Sequence, residues 1–167
     1  MNFKSINVNK RARQILVVLC LIMGNVGVHG LWDISRADES YINRPWGRLE
    51  YEIFNIGLEY GKKDKFDEAV DAFSRVILIN PRNALAYFSR GIYYFLQGKF
   101  SQAISDYNKA IEIDPGLVEV YNKRAVVYFL KKEYDKSWQD VYKANVLGYK
   151  ISPEFLDALK IVSEGTR

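Results

Sequence analysis

The feature that most constrains the fold is a pattern that recurs every 34 residues along the chain. A Gly-x-x-Tyr motif begins at Gly57, recurs at Gly91, and recurs with alanine in place of glycine at Ala125. A second small residue follows at the same period: Ala69, Ala103 and Ser137. Two helices in a tight hairpin need small residues where they cross, so we expect each member of the first set to meet one of the second. The period predicts three copies of one helical hairpin.

From Glu50 the chain divides into three units, and each contains two apolar-periodic segments joined by a short polar turn. The units are 50–83, 84–117 and 118–151. The apolar spacing predicts first helices near 48–62, 84–97 and 118–131, and second helices near 66–79, 100–113 and 134–147. The second helices of the first two units should end at Asn80-Pro81 and at Asp114-Pro115, because proline cannot donate the next helical hydrogen bond.

The third unit has no proline at this place and ends at Gly148, a residue suited to the left-handed backbone of a helix C-terminus. Ser152 predicts the N-cap of a final helix over 153–164, with Pro153 as its first residue. Four residues give this helix an apolar face: Phe155, Leu156, Leu159 and Val162. Such a helix would cover the exposed end of a repeat stack.

The spaced small and aromatic residues resemble the tetratricopeptide repeat (TPR) family, whose pattern is Leu-Gly-x-x-Tyr, then Ala-x-x-x-Phe-x-x-Ala, then Pro. The first unit matches at Ile53, Ile56, Gly57, Tyr60, Ala69, Phe73, Val76 and Pro81. The second matches at Tyr87, Gly91, Tyr94, Ala103, Tyr107, Ala110 and Pro115, and the third keeps Tyr121, Ala125, Tyr128 and Ala144. Arg90 and Arg124 stand where the pattern prefers leucine. The resemblance covers about residues 50–151.

The resemblance implies an all-α fold, an α-solenoid of three TPR hairpins with a C-terminal capping helix, whose first helices line a concave groove for a peptide or partner protein. The implied groove residues are mostly apolar: Tyr51, Phe54, Leu58, Leu85, Phe88, Ser89, Ile92, Phe95, Asn122, Lys123 and Val126, with Glu119 and Phe129 beside them. TPR domains that grip the terminal carboxylate of chaperone tails place basic and amide residues at five groove positions. Here these positions hold Phe54, Leu58, Ser89, Glu119 and Lys123, and since only one is basic, that binding mode is not expected.

An apolar groove favours an amphipathic helix or an extended apolar segment as the bound partner. The expected anchors are Phe54, Leu58, Phe88 and Ile92, and Phe88→Glu is expected to abolish binding without unfolding the domain. Two alternatives stay open, because the groove could be filled by the preceding segment (Tyr41, Ile42 and Trp46) or by a second copy of the chain in a homo-oligomer. The sequence predicts a protein-binding adaptor, with a self-assembling structural subunit as the alternative.

The distribution of charge and reactive residues argues against other classes of function. The net charge of +4 comes from four basic residues in 1–30, and the remaining chain has 20 basic and 20 acidic residues. The basic residues of this part are interspersed with the acidic ones, whereas a nucleic-acid site needs basic residues clustered on one face. After residue 30 the chain contains no histidine, cysteine or Gly-rich phosphate loop. We therefore expect no enzyme activity, no metal and no cofactor.

Residues 1–30 have the layout of a bacterial secretory signal, with a basic start, an apolar run at 15–23 and a small-residue end. Cleavage after Gly30 would give an exported, periplasmic or secreted protein. The alternatives are an uncleaved anchor in the inner membrane with the TPR domain outside the cytoplasm, and lipidation at Cys20. Residues 31–47 are then a linker, and 48–164 form the TPR domain.

Overall fold

A computed structural model of the protein describes residues 46–164, and the predicted leader and most of the predicted linker lie outside this range. Residues 46–164 form seven α-helices and no strand. The helices are α1 (Gly47–Lys62), α2 (Phe66–Ile79), α3 (Ala84–Leu96), α4 (Phe100–Ile113), α5 (Val118–Leu130), α6 (Tyr134–Val146) and α7 (Pro153–Glu164). Every helix bound agrees with its prediction to within one residue. Consecutive helices pack as the expected hairpins, and the hairpins stack in chain order.

The helix termini follow the predicted chemistry. Asn80 and Asp114, the residues before the prolines, both have an extended backbone, which ends α2 and α4. Gly148 has a φ of +86° at the end of α6. The Ser152 hydroxyl accepts a hydrogen bond from the Phe155 backbone N–H at 3.2 Å, as an N-cap of α7 should.

The turn inside each hairpin contains one residue with a left-handed backbone. These residues are Asp64, Gly98 and Lys132, with φ of 56°, 73° and 63°, and they are 34 residues apart. Only the middle turn uses glycine, for which this conformation carries no steric penalty. The other two turns keep the same geometry at a cost of roughly 1–2 kcal/mol each.

The hairpin crossings are tighter than the sequence suggests. A Cβ added to Gly57 would lie 2.8 Å from Phe73 Cζ, and one added to Gly91 would lie 2.6 Å from Tyr107 Cε1. The atoms nearest to such a carbon belong mainly to an aromatic ring of the second helix, and the predicted partners Ala69 and Ala103 are fully buried. In the third hairpin the expected pair does meet, since the Ser137 hydroxyl donates to the Ala125 carbonyl oxygen at 2.8 Å.

The core consists of three apolar clusters, one for each repeat, joined by side chains that reach between repeats. The rings of Phe73 and Tyr93 stack with centroids 5.6 Å apart and join the first repeat to the second. α7 covers the third repeat through Phe155 and Leu159, which are both buried. None of the helices at 46–164 has the length and hydrophobicity needed to cross a bilayer.

Candidate functional site

The eleven residues predicted to line the groove divide into a half-buried group and a buried group. Six of the eleven predicted residues are half-buried: Tyr51, Leu58, Leu85, Phe95, Asn122 and Lys123. The other five are buried, with exposed fractions of 6% or less: Phe54, Phe88, Ser89, Ile92 and Val126. We call the whole set the groove face.

The buried apolar members of the groove face already have partners inside the protein. The Phe54 ring packs edge-on against Phe73 with centroids 5.0 Å apart, and the Phe88 ring lies 6.0 Å from that of Tyr107. Ile92 belongs to the same core cluster as Phe88. The expectation that these three side chains are exposed anchors is therefore wrong, and only Leu58 of the four keeps partial exposure. Phe88→Glu would bury a carboxylate in the core, so it would unfold the domain instead of reporting on binding.

The last helix covers the apolar member of the groove face in the third repeat. Val126 lies in one cluster with Phe155, Ala158 and Leu159 of α7. The ring of Phe129 meets that of Phe155 at 5.6 Å between centroids. The partly exposed apolar surface is consequently confined to the first two repeats, at Tyr51, Leu58, Leu85 and Phe95.

The third repeat adds a polar end to the groove face. Asn122 Nδ2 donates a hydrogen bond to the Tyr149 hydroxyl at 3.2 Å. Burial and the nearby charge of Glu119 raise the pKa of Tyr149. Burial also lowers the pKa of Lys123. No carboxylate between residues 46 and 164 forms an ion pair with this lysine. This arrangement places one uncompensated positive charge beside an apolar face.

A ladder of buried ion pairs crosses the repeats at positions that the sequence analysis did not identify. Arg90 forms two hydrogen bonds to Asp106, both 2.8 Å, and a third from Nη1 to Ser74 Oγ of the preceding repeat at 3.0 Å. Arg124 does the same with Asp140, at 2.8 and 2.6 Å, and with Asn108 of the preceding repeat. The Asp106 and Asp140 side chains are only 7% and 6% exposed. Each arginine therefore joins its own hairpin to the one before it.

Tyrosines on the same helix flank each arginine of the ladder. The Arg90 guanidinium lies 5.6 Å from the centroid of Tyr87 and 5.7 Å from that of Tyr94. Arg124 has equivalent tyrosines, Tyr121 and Tyr128, both at 5.8 Å. Hydrogen bonding to Asp106 outweighs burial and raises the pKa of Arg90. Arg90 and Arg124 are thus accommodated at the position where the family pattern prefers leucine.

The ladder has a sequence signal that could have been used. An aspartate follows each arginine by 16 residues, at Arg90 and Asp106 and again at Arg124 and Asp140. A pair that recurs in register with a repeat suggests a contact inside the repeat. Residues 46–164 contain no cluster of three or more metal-ligating side chains.

Comparison with known protein families identifies the repeat. A tetratricopeptide repeat model matches residues 84–117, a TPR repeat model matches 57–98, and a further tetratricopeptide repeat model matches 106–139. The chain is a tetratricopeptide repeat protein. A comparison with curated proteins found no match.

Solved TPR structures have the same fold. The TPR2B domain of yeast Sti1, in a complex with pHsp70, is 29% identical, with a TM-score of 0.63 over 71% of this chain and 98% of that chain. The first TPR of Spaghetti (RPAP3), bound to the HSP90 peptide SRMEEVD, is 24% identical, with a TM-score of 0.64 over 70% and 92%. The Arabidopsis OM64 TPR domain is also 24% identical, with a TM-score of 0.64 over 70% and 96%. TPR domains of this kind mediate protein–protein interaction.

Proposed function

We propose that this TPR protein is a non-catalytic adaptor of the bacterial cell envelope that binds an apolar segment of a partner protein along its first helices. The observation that supports this most is that four groove-face residues of the first two repeats, Tyr51, Leu58, Leu85 and Phe95, are only half-buried. We call these four residues the apolar strip. Since the remaining apolar groove residues are already packed, the partner segment is expected to be short and to rest on this strip.

The similar solved domains support a peptide as the partner, because one of them is bound to an HSP90 peptide and another is in a complex with pHsp70. The residues of this chain argue for a different peptide class. Phe54 and Leu58 are apolar, and Glu119 is acidic, where a site for a chaperone carboxylate needs positive or amide groups. An apolar segment fits this surface better than an acidic tail.

The envelope location is proposed from residues 1–30 alone, whose basic, apolar and small-residue sections suit export. An intact mass of the protein from its native membrane fraction tests this. A chain that starts at Leu31 indicates cleavage, a full-length mass indicates an anchor, and added acyl mass on Cys20 indicates lipidation.

The binding surface is tested by selecting peptides from a random displayed library on the full chain and measuring their affinity for two variants. Leu58→Glu places a charge on the strip and is expected to weaken binding at least about tenfold, equivalent to about 1.4 kcal/mol. Leu78→Glu makes the same change on α2, where the side chain is 83% exposed, and should have no effect. Equal loss in both variants, or in neither, would contradict the proposed surface.

Self-assembly is the second candidate, and an apolar patch on α1 supports it. Trp46, Leu49 and Ile56 are 63%, 42% and 50% exposed. Exposed apolar groups in one place commonly mark an interface. Light scattering after size-exclusion chromatography distinguishes the two functions, since a strict monomer at high micromolar concentration would exclude self-assembly as the main role.

A further inference from the structure

The first helix carries an apolar face at the end of the repeat stack, apart from the groove face. Its members are Trp46, Leu49, Ile53, Ile56 and Tyr60, and we call this set the end seam. Trp46, Leu49 and Ile56 are exposed, and the other two are half-buried. No repeat precedes α1 among residues 46–164, so the seam lies at the open end of the described stack.

The spacing of the end seam is that of a coiled coil. Its five residues alternate at intervals of three and four, which are the a and d positions of a heptad. Trp46 belongs to this register because its carbonyl oxygen accepts a hydrogen bond from the Glu50 N–H at 2.9 Å. A stripe with this spacing packs along a second helix. Tyr51 and Leu58 of the apolar strip occupy the f position, on the opposite side of α1.

The same face of the first helix is closed in the later repeats by the repeat before it. Ala86 and Tyr93 of α3 lie in the core cluster of the first repeat, and α5 has buried valines at both places. The equivalent residues of α1 are Glu52 and Glu59, which are both exposed. A hairpin stacked in register before α1 would bury these carboxylates, which is strongly unfavourable. Another TPR hairpin therefore does not fit this end.

The opposite end of the stack is covered in a different way. Phe155 and Leu159 of α7 are buried against the third repeat, whereas Glu154, Asp157 and Lys160 of the same helix are exposed. A polar outer surface of this kind is what keeps the terminal element of a repeat stack soluble. The helices described for residues 46–164 include none that covers α1 in the same manner. The end seam is therefore an apolar surface that is left for another molecule to cover.

The charges next to the seam determine which kind of helix fits it. Glu52 and Glu59 occupy the g positions of the heptad, directly beside the apolar stripe. The e positions on the other side are Glu50 and Gly57, which are buried in the hairpin. In packed helices the e and g residues select the partner by charge. An incoming helix meets exposed charge on one side of the seam, and this charge is acidic.

The basic residues of α1 lie further from the seam than the two acids. Arg48 and Lys62 occupy the c position of the heptad. Lys62 pairs with Glu59 at 2.6 Å, and the Glu59 side chain is exposed. An exposed pair three residues apart on a helix contributes little stability, so a basic residue of a bound helix can compete for Glu59. Glu52 and Glu59 are thus available as counter-charges.

Two other occupants match these charges less well. The segment at 31–45, which leads into α1, has two basic and three acidic residues, so it would bring a negative net charge to an acidic row. A second copy that packs antiparallel along α1 would place its own acidic row beside the first one, and such like-charge contacts are unfavourable. A basic partner helix has neither disadvantage.

We propose that the end seam binds a basic amphipathic helix of a partner protein. The helix has apolar side chains at its own a and d positions and lysine or arginine at the flanking positions that face Glu52 and Glu59. Because α1 has 16 residues, the contact extends over about two heptads of the partner. This binding does not depend on the proposed function of the groove face, since the two surfaces lie on opposite sides of α1.

The test is a selection from a displayed library of three-heptad peptides with leucine or isoleucine at every a and d position. Their e and g positions vary between lysine and glutamate. The targets are the full-length protein and its double variant Glu52→Lys with Glu59→Lys. The wild type is expected to select peptides with lysine at the flanking positions, and the charge-reversed variant is expected to select peptides with glutamate there.

A selected basic peptide then locates the surface. Leu49→Ser with Ile56→Ser removes two exposed apolar contacts and is expected to weaken binding at least about tenfold. This variant should keep the thermal midpoint of the wild type, because both side chains are exposed. Two controls should bind the peptide as the wild type does: Leu78→Ser on the exposed face of α2, and Leu58→Glu on the groove face.

Several results would overturn this inference and leave the groove-face proposal standing. One is the same charge preference from the wild type and the charge-reversed variant, or no enrichment on either. Another is a dimer in light scattering that Leu49→Ser with Ile56→Ser converts to a monomer, since a second copy would then fill the seam. Enrichment only after Tyr41→Ser with Ile42→Ser would mean that the preceding segment covers it. A tenfold loss with Leu58→Glu would move the peptide to the groove face.

Discussion

The first and second repeats share one hairpin but differ in the chemistry of two equivalent positions. In the second repeat Arg90 on α3 pairs with the buried Asp106 on α4. In the first repeat the equivalent residues are Ile56, which is half exposed, and Ala72, which is buried. Arg90 also reaches Ser74 of the preceding repeat, whereas no repeat precedes α1 among residues 46–164.

This difference shows that two kinds of position serve different purposes in the stack. The glycine and aromatic residues that form the hairpin are present in both repeats. The ladder positions join neighbouring repeats, and a repeat stack derives much of its stability from such nearest-neighbour contacts. The first repeat is joined to the second by other means. The buried Glu50 carboxylate accepts a hydrogen bond from Asn83 at 2.6 Å, and Asn83 Oδ1 accepts one from the Ala86 N–H at the start of α3 at 2.9 Å.

The largest expected effect comes from breaking the ladder in the second repeat. Asp106→Ala leaves the Arg90 charge without its carboxylate and should reduce the free energy of unfolding by about 3–5 kcal/mol. The double variant Arg90→Ile with Asp106→Ala copies the first repeat and should recover most of this loss. Urea unfolding measures the free energy of unfolding of both variants. A double variant as unstable as the single one would mean that the apolar arrangement of the first repeat cannot replace the ion pair.

The next effect concerns the crossing of the second hairpin. In Gly91→Ala the new methyl group meets the buried Tyr107 ring, so a loss of about 1–3 kcal/mol is expected. Helix propensity alone predicts the opposite sign, a gain of up to about 1 kcal/mol. Ala125→Gly, at the equivalent place in the third repeat, is the comparison and should destabilise the protein through lower helix propensity and the loss of one buried methyl group. Chemical denaturation that shows a gain for Gly91→Ala would contradict the tight crossing.

A smaller effect is expected from building the ladder into the first repeat. Ala72→Asp buries an unpaired carboxylate and should destabilise the protein, and adding Ile56→Arg should restore part of the loss. We expect a coupling energy of at least about 1 kcal/mol from a double-mutant cycle. Ile56→Arg alone is the control, and it should be nearly neutral because the side chain is half exposed. Additive effects would show that the first hairpin cannot bring these positions together.

The smallest effect is expected in the hairpin turns. Lys132→Gly should stabilise the protein by about 1 kcal/mol, because glycine adopts the left-handed backbone without steric cost. Asp64→Gly should stabilise the protein by a smaller amount, since a short polar side chain tolerates this conformation better than lysine does. Gly98→Ala should destabilise by a similar amount. Thermal unfolding tests this order of the three effects on stability, and a gain in stability for Gly98→Ala would show that the turns are not equivalent.

Local chemistry made the helices and their termini predictable. Apolar spacing gave every helix bound, and the roles of Gly148 and Ser152 depend on neighbours a few residues away. The ladder was not found because Arg90 and Asp106 lie on different helices and meet only when the hairpin closes. Exposure on the groove face was also misjudged, since Phe54 and Phe88 are buried by residues of the second helices and of neighbouring repeats.

The 34-residue period by itself determined that the chain folds as three helical hairpins with a final helix, because periodic small and apolar residues specify which faces must pack. The tertiary structure alone decided which side chains stay accessible. Which side chains are buried, and which charges meet, depends on how close the fold brings elements that are remote in sequence. For that reason Arg124 is compensated by Asp140, while its neighbour Lys123 keeps a charge without a partner.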